Sequence, residues 1–157
     1  MRGSRYVSSN TASHRHGTFR IIALLLVAVL GGTLLTGCNV TAEQNELAAL
    51  NQLRTSHGVP VLMRSVELDR KATGQAVRMA RRGQIFHSSS LEAGVTQGYS
   101  ILGENVGMGG TMPAVHQALV DSPLHLRNML DSRFSEVGIG SVVRDGRTYL
   151  VQFFVGR

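Results

Sequence analysis

The sequence predicts an α+β fold for a single domain in which helices come first and strands last. In the first half of the 157-residue chain, apolar residues recur at the three- and four-residue spacing of amphipathic helices. Near the end, two runs of alternating apolar residues flank Asp145-Gly146, a dipeptide typical of two-residue β-hairpin turns. No internal repeat or low-complexity segment is visible after residue 38.

The first 37 residues have the pattern of an export signal and are excluded from the folded domain. A basic segment precedes the apolar run 21–35, which is shorter than the ~20 residues that a membrane-spanning helix needs. Thr36-Gly37-Cys38 follows and resembles a bacterial lipobox, so we expect lipidation of Cys38 as the first mature residue. The alternative is an uncleaved anchor with an incidental cysteine. Both interpretations place the domain outside the cytoplasm, tethered to a membrane.

The charge of the mature chain gives no reason to expect a nucleic-acid partner. The full sequence has 16 Lys and Arg against 10 Asp and Glu, a net charge of +6. The signal contains four of the basic residues and no acid, which leaves 12 against 10 and a net charge of +2. The four are Arg2, Arg5, Arg15 and Arg20. Because Cys38 is the only cysteine, a core without intramolecular disulfides must stabilise the domain.

Two helices are predicted before residue 84. The first begins with a capping box at Thr41 to Gln44 and ends at His57-Gly58. A charged His57 in the last turn would favour the helix dipole, and we prefer this role to that of a ligand. The second helix begins near Ser65 and ends near Gly83. The apolar faces consist of Leu47, Leu50 and Leu53, then Leu68, Ala72, Ala76 and Met79.

The second half of the chain is predicted to contain a long loop, two short helices and the hairpin. The stretch 86–110 is rich in Ser and Gly and has one short apolar piece at 99–106, which indicates a functional loop with one strand. A third helix covers about 112–120 and carries His116 on its surface. Ser122-Pro123 begins a fourth helix and places His125 in its first turn. The final strand is apolar on both faces and is therefore expected to be central in the sheet.

A series of short motifs occurs in a characteristic order along residues 46–155. The motifs are Leu50-Asn51 with Arg54 and Gly58, His87-Ser88, Gly103-Glu104-Asn105, Ser122-Pro123 with His125 and Asn128-Met129-Leu130, Val137-Gly138-Ile139-Gly140, and Gln152-Phe153. In this order they resemble a bacterial member of the CAP superfamily, the SCP domain of cysteine-rich secretory proteins, insect antigen 5 and plant pathogenesis-related proteins. The resemblance implies a three-layer α-β-α sandwich with a central antiparallel sheet. The expected organisation is a lipoprotein signal at 1–37, a lipidated N-terminus and linker at 38–45, and a CAP domain at 46–155.

The family's cleft carries two histidines and two acids and sometimes holds a divalent metal such as zinc. Carried onto this sequence, the resemblance assigns His87, Glu104 and His125 to the cleft, where they are candidate metal ligands. The position of the second acid falls at Ser122, which lacks a carboxylate. Ser122 and the adjacent Asp121 are therefore further candidates for the cleft.

Two functions from different classes remain open at this point. One is a membrane-anchored binding module outside the cytoplasm, whose cleft takes a lipid, a peptide or a cell-wall component. The other is a metal-assisted peptidase or esterase acting on an extracellular substrate, with Ser88 beside His87 as a conceivable nucleophile. The binding module is favoured because the sequence has no HExxH motif, no nucleophile elbow and no Cys-His pair. A purely structural hydrogen-bonded network is a third way to explain the two histidines and the glutamate.

Overall fold

A computed structural model of the protein describes residues 41–157, which form four helices and a four-stranded sheet. Cys38 and the predicted signal lie outside the described residues. None of the helices in 41–157 is long and apolar enough to cross a membrane. The elements are α1 (Ala42–Ser56), β1 (Met63–Arg64), α2 (Val66–Arg82), β2 (Ile101–Gly109), α3 (Met112–Val120), α4 (Pro123–Leu130), β3 (Glu136–Arg144) and β4 (Arg147–Gly156).

The ends of the helices follow from their sequences. The capping box of α1 is confirmed, because Thr41 Oγ1 accepts from the backbone N of Gln44 at 3.2 Å and Gln44 Oε1 accepts from the N of Thr41 at 2.7 Å. Gly83 ends α2 at φ 64°, a left-handed conformation that glycine adopts without strain. Pro123 occupies the first turn of α4 as predicted, but the Ser122 side chain makes no capping hydrogen bond.

The strands are ordered β1-β3-β4-β2 in one sheet. β3 and β4 form the predicted hairpin, and Asp145 and Gly146 take positive φ angles of 50° and 70° in its turn. β4 lies between β3 and β2, which confirms its predicted central position. The expected antiparallel arrangement holds for these three strands. The two-residue β1, too short to show a sequence pattern, adds parallel to β3 and makes the sheet mixed.

Alternate residues of β4 face two helical layers, so the α-β-α sandwich is confirmed. One face packs against α2, and the other packs against α1, α3 and α4. The residues facing α2 are Tyr149, Val151, Phe153 and Val155, and those facing the three helices include Leu150 and Phe154. α2 approaches β3 most closely at Gly138 and Gly140, where an added Cβ would lie 2.1 Å from the backbone of α2. Because glycine has no side chain, these two positions allow the backbone of α2 to pack directly on β3.

Two details of the second half differ from the sequence predictions. The strand expected at 99–106 runs from Ile101 to Gly109, so the loop before it covers 83–100. His116 was predicted to lie on the surface, and this is wrong, since its side chain is only 15 % exposed. Its Nδ1 lies 2.8 Å from Oε1 of Glu46, a buried carboxylate on the neighbouring helix α1.

A buried arginine joins α1 to the segment between α4 and β3. The Arg54 guanidinium, 0 % exposed, donates to the carbonyl oxygens of Met129 at 2.8 Å, Asp131 at 3.1 Å and Phe134 at 3.2 Å. Its Nε donates to the carbonyl of Pro60 at 2.6 Å. Burial lowers the pKa of Arg54, while the charge of Asp131 opposes that effect. One side chain thus satisfies four backbone acceptors, one at Pro60 and three in the segment 129–134.

Replacing Arg54 should therefore destabilise the whole domain. Arg54→Met keeps a long apolar stem but leaves the four carbonyls without their donor, and we expect the free energy of unfolding to fall by about 3 kcal/mol or more. Chemical denaturation followed by circular dichroism measures this. The exposed Arg81→Met on α2 is the control and should change stability by less than about 0.5 kcal/mol. Similar losses for the two variants would contradict the role assigned to Arg54.

Candidate functional site

Glu104 on β2 accepts three hydrogen bonds from residues 87 and 88. Its Oε1 accepts from His87 Nδ1 at 2.9 Å and from the backbone N of Ser88 at 2.8 Å. Its Oε2 accepts from Ser88 Oγ at 2.6 Å. The carboxylate is 1 % exposed, whereas the His87 side chain is 59 % exposed. A buried acid therefore fixes the 83–100 loop to the sheet and orients an imidazole that faces solvent.

His125 approaches the same place from α4. Its Nδ1 lies 2.9 Å from Ser122 Oγ, and its carbonyl oxygen accepts from Asn105 Nδ2 at 3.1 Å. Burial, and then the charge of His87, lower the pKa of His125 from its ordinary 6.5. The bond from Asn105, which follows Glu104 on β2, places the backbone of His125 beside that strand. With its pKa lowered, His125 is neutral near pH 7.

A chain of amides beneath the two histidines connects the site to the sheet. Asn105 Nδ2 donates to Gln152 Oε1 at 3.0 Å, and Asn128 Nδ2 donates to Asn105 Oδ1 at 2.9 Å. Gln152 Nε2 donates to Glu46 Oε1 at 2.6 Å. Across 41–157, every buried side-chain polar atom has a hydrogen-bond partner. The backbone positions that carry the site are therefore fixed by a satisfied network.

The fold brings most of the predicted site residues to the edge of the sheet at β2, and Asp121 is the exception. His87 and Glu104 are directly bonded at the edge strand β2, and Ser122 contacts His125, whose carbonyl accepts from Asn105 on the same strand. Asp121 is exposed and accepts from the side chain of Gln117 at 2.8 Å. The structure does not join it to the cleft, because it is the C-cap of α3 and α4 begins only at Pro123.

The side chains of this site that could ligate a metal are two imidazoles and the carboxylate of Glu104. Glu104 already accepts three hydrogen bonds, and no cluster of three or more His, Cys, Asp or Glu in 41–157 is arranged to hold a metal. A ligating histidine generally bonds its second ring nitrogen to a carboxylate, carbonyl or water. The Nδ1 atoms of His87 and His125 contact a carboxylate and a hydroxyl, which leaves Nε2 of each ring for a further contact.

The sequence patterns did not identify Glu46, the acid at the far end of the amide chain. A signal was present, since Glu46, Leu50 and Arg54 are spaced by four on the inward side of α1 and are all buried. A charged residue on an apolar helix face indicates a buried polar partner elsewhere in the fold. The partners, Gln152 and His116, lie 106 and 70 residues away in sequence.

Glu104 and His87 should differ sharply in their effect on stability. Glu104→Ala leaves the donors of His87 and Ser88 without their acceptor, so we expect a loss of about 1–3 kcal/mol in unfolding free energy. Amide hydrogen exchange in 83–100 should accelerate with it. His87→Ala removes an exposed ring and should cost less than about 0.5 kcal/mol. Equal losses would show that the imidazole, and not the carboxylate alone, stabilises the loop.

A family model for the cysteine-rich secretory protein family, CAP, matches residues 47–156. Three similar solved structures come from bacteria. An extracellular protein containing a SCP domain from Bacillus anthracis is 24 % identical, with a TM-score of 0.65 over 74 % of this chain and 40 % of that chain. An outer surface protein from Borrelia burgdorferi is 16 % identical, with a TM-score of 0.67 over 74 % of this chain and 92 % of that chain. A cysteine-rich secretory protein from Staphylococcus aureus is 21 % identical, with a TM-score of 0.64 over 74 % of this chain and 38 % of that chain.

The similarity to these three structures shows that the chain shares their fold. The chain spans less than half of the Bacillus anthracis and Staphylococcus aureus chains. Among curated proteins, none matches the chain significantly. The family match covers most of the chain and includes every motif from His87-Ser88 to Gln152-Phe153. The chain therefore belongs to the CAP family of cysteine-rich secretory proteins.

Proposed function

We propose that this chain is an exported, membrane-anchored CAP module whose cleft binds a ligand through His87 and His125. The orientation of His87 carries the proposal. A buried carboxylate with three hydrogen bonds holds an imidazole that is itself 59 % exposed. A structural network would bury its members, whereas an oriented and accessible imidazole is suited to contact a second molecule.

The ligand is a lipid, a peptide or a cell-wall component, and the cleft chemistry favours one with amide, hydroxyl or carboxylate groups. Neutral imidazole offers one donor and one acceptor, and the hydroxyl of Ser122 offers both. A net charge of +2 for the mature chain gives no support to nucleic acid. The extracellular and outer surface proteins that share the fold support an exported location, and the lipobox at Cys38 supports a lipid anchor.

A divalent metal such as zinc would be held by the Nε2 atoms of His87 and His125. When bound, it would supply a Lewis acid that polarises an oxygen of the ligand. Glu104 would fix the His87 ring, and Ser122 would fix the His125 ring. Catalytic zinc sites generally have three protein ligands, so a two-histidine site fits ligand binding better than hydrolysis.

The alternative function is hydrolysis of an extracellular peptide or ester. The contact between Ser122 Oγ and the neutral imidazole of His125 at 2.9 Å favours it, because such a pair can serve as nucleophile and base. Among the described residues, however, no carboxylate is hydrogen-bonded to His125. Ser88 is not paired with an imidazole either, since its hydroxyl donates to Glu104. Binding is therefore the function that we favour.

Zinc should raise the melting temperature of the full-length protein near pH 7 if the two imidazoles bind it. The double variant His87→Gln/His125→Gln should lose this shift and remain folded. Because imidazole must be neutral to coordinate, the shift should shrink as the pH falls below about 6. Differential scanning calorimetry measures both effects.

His57→Gln is the matched control for this experiment. His57 is an exposed histidine at the C-cap of α1, and its replacement should leave the zinc shift unchanged. A wild-type protein without any zinc shift would remove the metal from the proposal. A double variant that melts much earlier without zinc would favour the purely structural network.

The lipid anchor is tested at Cys38. Mass spectrometry of the mature N-terminus should show cleavage before Cys38 and an added lipid. Cys38→Ala should block processing or release the domain from the membrane fraction. An intact signal segment, or an unmodified Cys38 in the membrane fraction, would contradict the anchor.

A further inference from the structure

A cavity of about 660 Å³ lies between α2 and the 83–100 loop, beside the His87 site. Three cations on α2 line it, and they are Arg70, Lys71 and Arg78. The facing loop contributes three consecutive serines, Ser88 to Ser90. Glu67 is the one carboxylate in the lining, so the charged groups around the cavity sum to +2.

The charges of Glu67 and Glu104 act on two of the three cations, Arg70 and Lys71, but not through a direct ion pair. None of them forms an ion pair with a carboxylate in the described part of the chain. Lys71 Nζ donates to two loop carbonyls, at 3.1 and 2.5 Å. Arg78 Nε donates to Gln75 Oε1 at 2.9 Å, which leaves its terminal nitrogens for other acceptors. Burial lowers the pKa of Lys71; the charge of Glu104 opposes this effect, and the charge of Arg78 adds to it.

The single carboxylate of the lining already has a partner. Glu67 Oε1 accepts from the backbone N of Thr96 at 2.5 Å, and this bond is the main cause that lowers the pKa of Glu67. Like charges gathered in one cavity repel each other, and an anion placed among them removes that repulsion.

Gly74 supplies an independent observation, because its place in the middle of α2 has no packing explanation. It lies between Arg70 and Arg78 in the cavity wall, and an added Cβ would meet only Arg78 Nη1, at 3.6 Å. A glycine in a helix interior is less favourable than alanine. The missing side chain keeps the cavity open next to the guanidinium of Arg78. An open cavity would explain why a residue that destabilises the helix occupies this position.

We propose that this cavity binds a phosphate group carried by a ligand, held by Arg70, Lys71 and Arg78. The planar fork of an arginine matches two oxygens of a phosphate, and a lysine adds a point charge. Ser89 and Ser90 line the same space, and a serine hydroxyl can donate to a third oxygen. The inference goes beyond the proposed function, since it requires neither a metal nor a ligand on His87.

Titration calorimetry of the full-length protein with inorganic phosphate, at low ionic strength in a zwitterionic buffer, tests the site. We expect saturable binding that Arg70→Gln and Arg78→Gln each weaken by about tenfold or more. Arg81→Gln makes the same charge change on the same helix outside this cavity and should stay within about twofold. Absence of saturable binding in the wild type, or an equal loss with Arg81→Gln, would overturn the proposal.

Two further variants separate this site from its neighbours. Gly74→Leu should weaken phosphate binding without lowering the melting temperature, whereas a structural glycine would destabilise the protein when replaced. His87→Gln/His125→Gln should leave phosphate binding unchanged, so failure of the cleft proposal and failure of this one are distinguishable.

Competition experiments identify the source of the phosphate group. If glycerophosphoglycerol displaces inorganic phosphate, the source is a phosphodiester such as a lipid headgroup. If only glycerol phosphate displaces it, the source is a phosphomonoester. Binding of acetate as tight as that of phosphate would overturn the assignment of a phosphate.

Discussion

The placement of the site depends first on the guanidinium of Arg54. The carbonyls that it binds belong to Met129, Asp131 and Phe134, where α4 ends and β3 begins. Buried carbonyls without donors would each cost about 1–3 kcal/mol, so this segment is stable against α1 only with the arginine present. Because α4 has eight residues, fixing its C-terminal end also fixes the turn that carries His125. A residue with no contact to the site thus determines where one of its imidazoles lies.

A second constraint comes from polar groups in an otherwise apolar layer. Gln152 sits on the face of β4 that packs against α1, α3 and α4, and it is fully buried. It connects Glu46 on α1 to Asn105 on β2, and Asn105 connects in turn to the carbonyl of His125. Apolar packing alone would allow the layers to slide, whereas these directional bonds are satisfied in one register. The core beneath the site therefore fixes the positions of the site residues.

The sequence predicted features that depend on near neighbours. The capping box at Thr41, the Asp145-Gly146 turn and the start of α4 at Pro123 are local, and each is present in the structure. Distant partners were not predictable in the same way. The burial of His116 depends on Glu46, which is 70 residues away in sequence. The separation of Asp121 from the other site residues, by contrast, follows from the start of α4 at Pro123, which the sequence indicated.

The cleft and the basic cavity meet at Ser88, which lines the cavity and gives two hydrogen bonds to Glu104. The same carboxylate orients His87, so one buried acid sets the position of the imidazole and of one cavity wall. Lys71 contributes from the other side, since its Nζ holds the 83–100 loop by two carbonyls and lies 4.6 Å from the ring centroid of Phe153. A loop anchored at both ends on the sheet and α2 can present a rigid surface without a disulfide. That rigidity keeps the exposed imidazole of His87 in a fixed position, which would reduce the conformational entropy lost on binding a ligand.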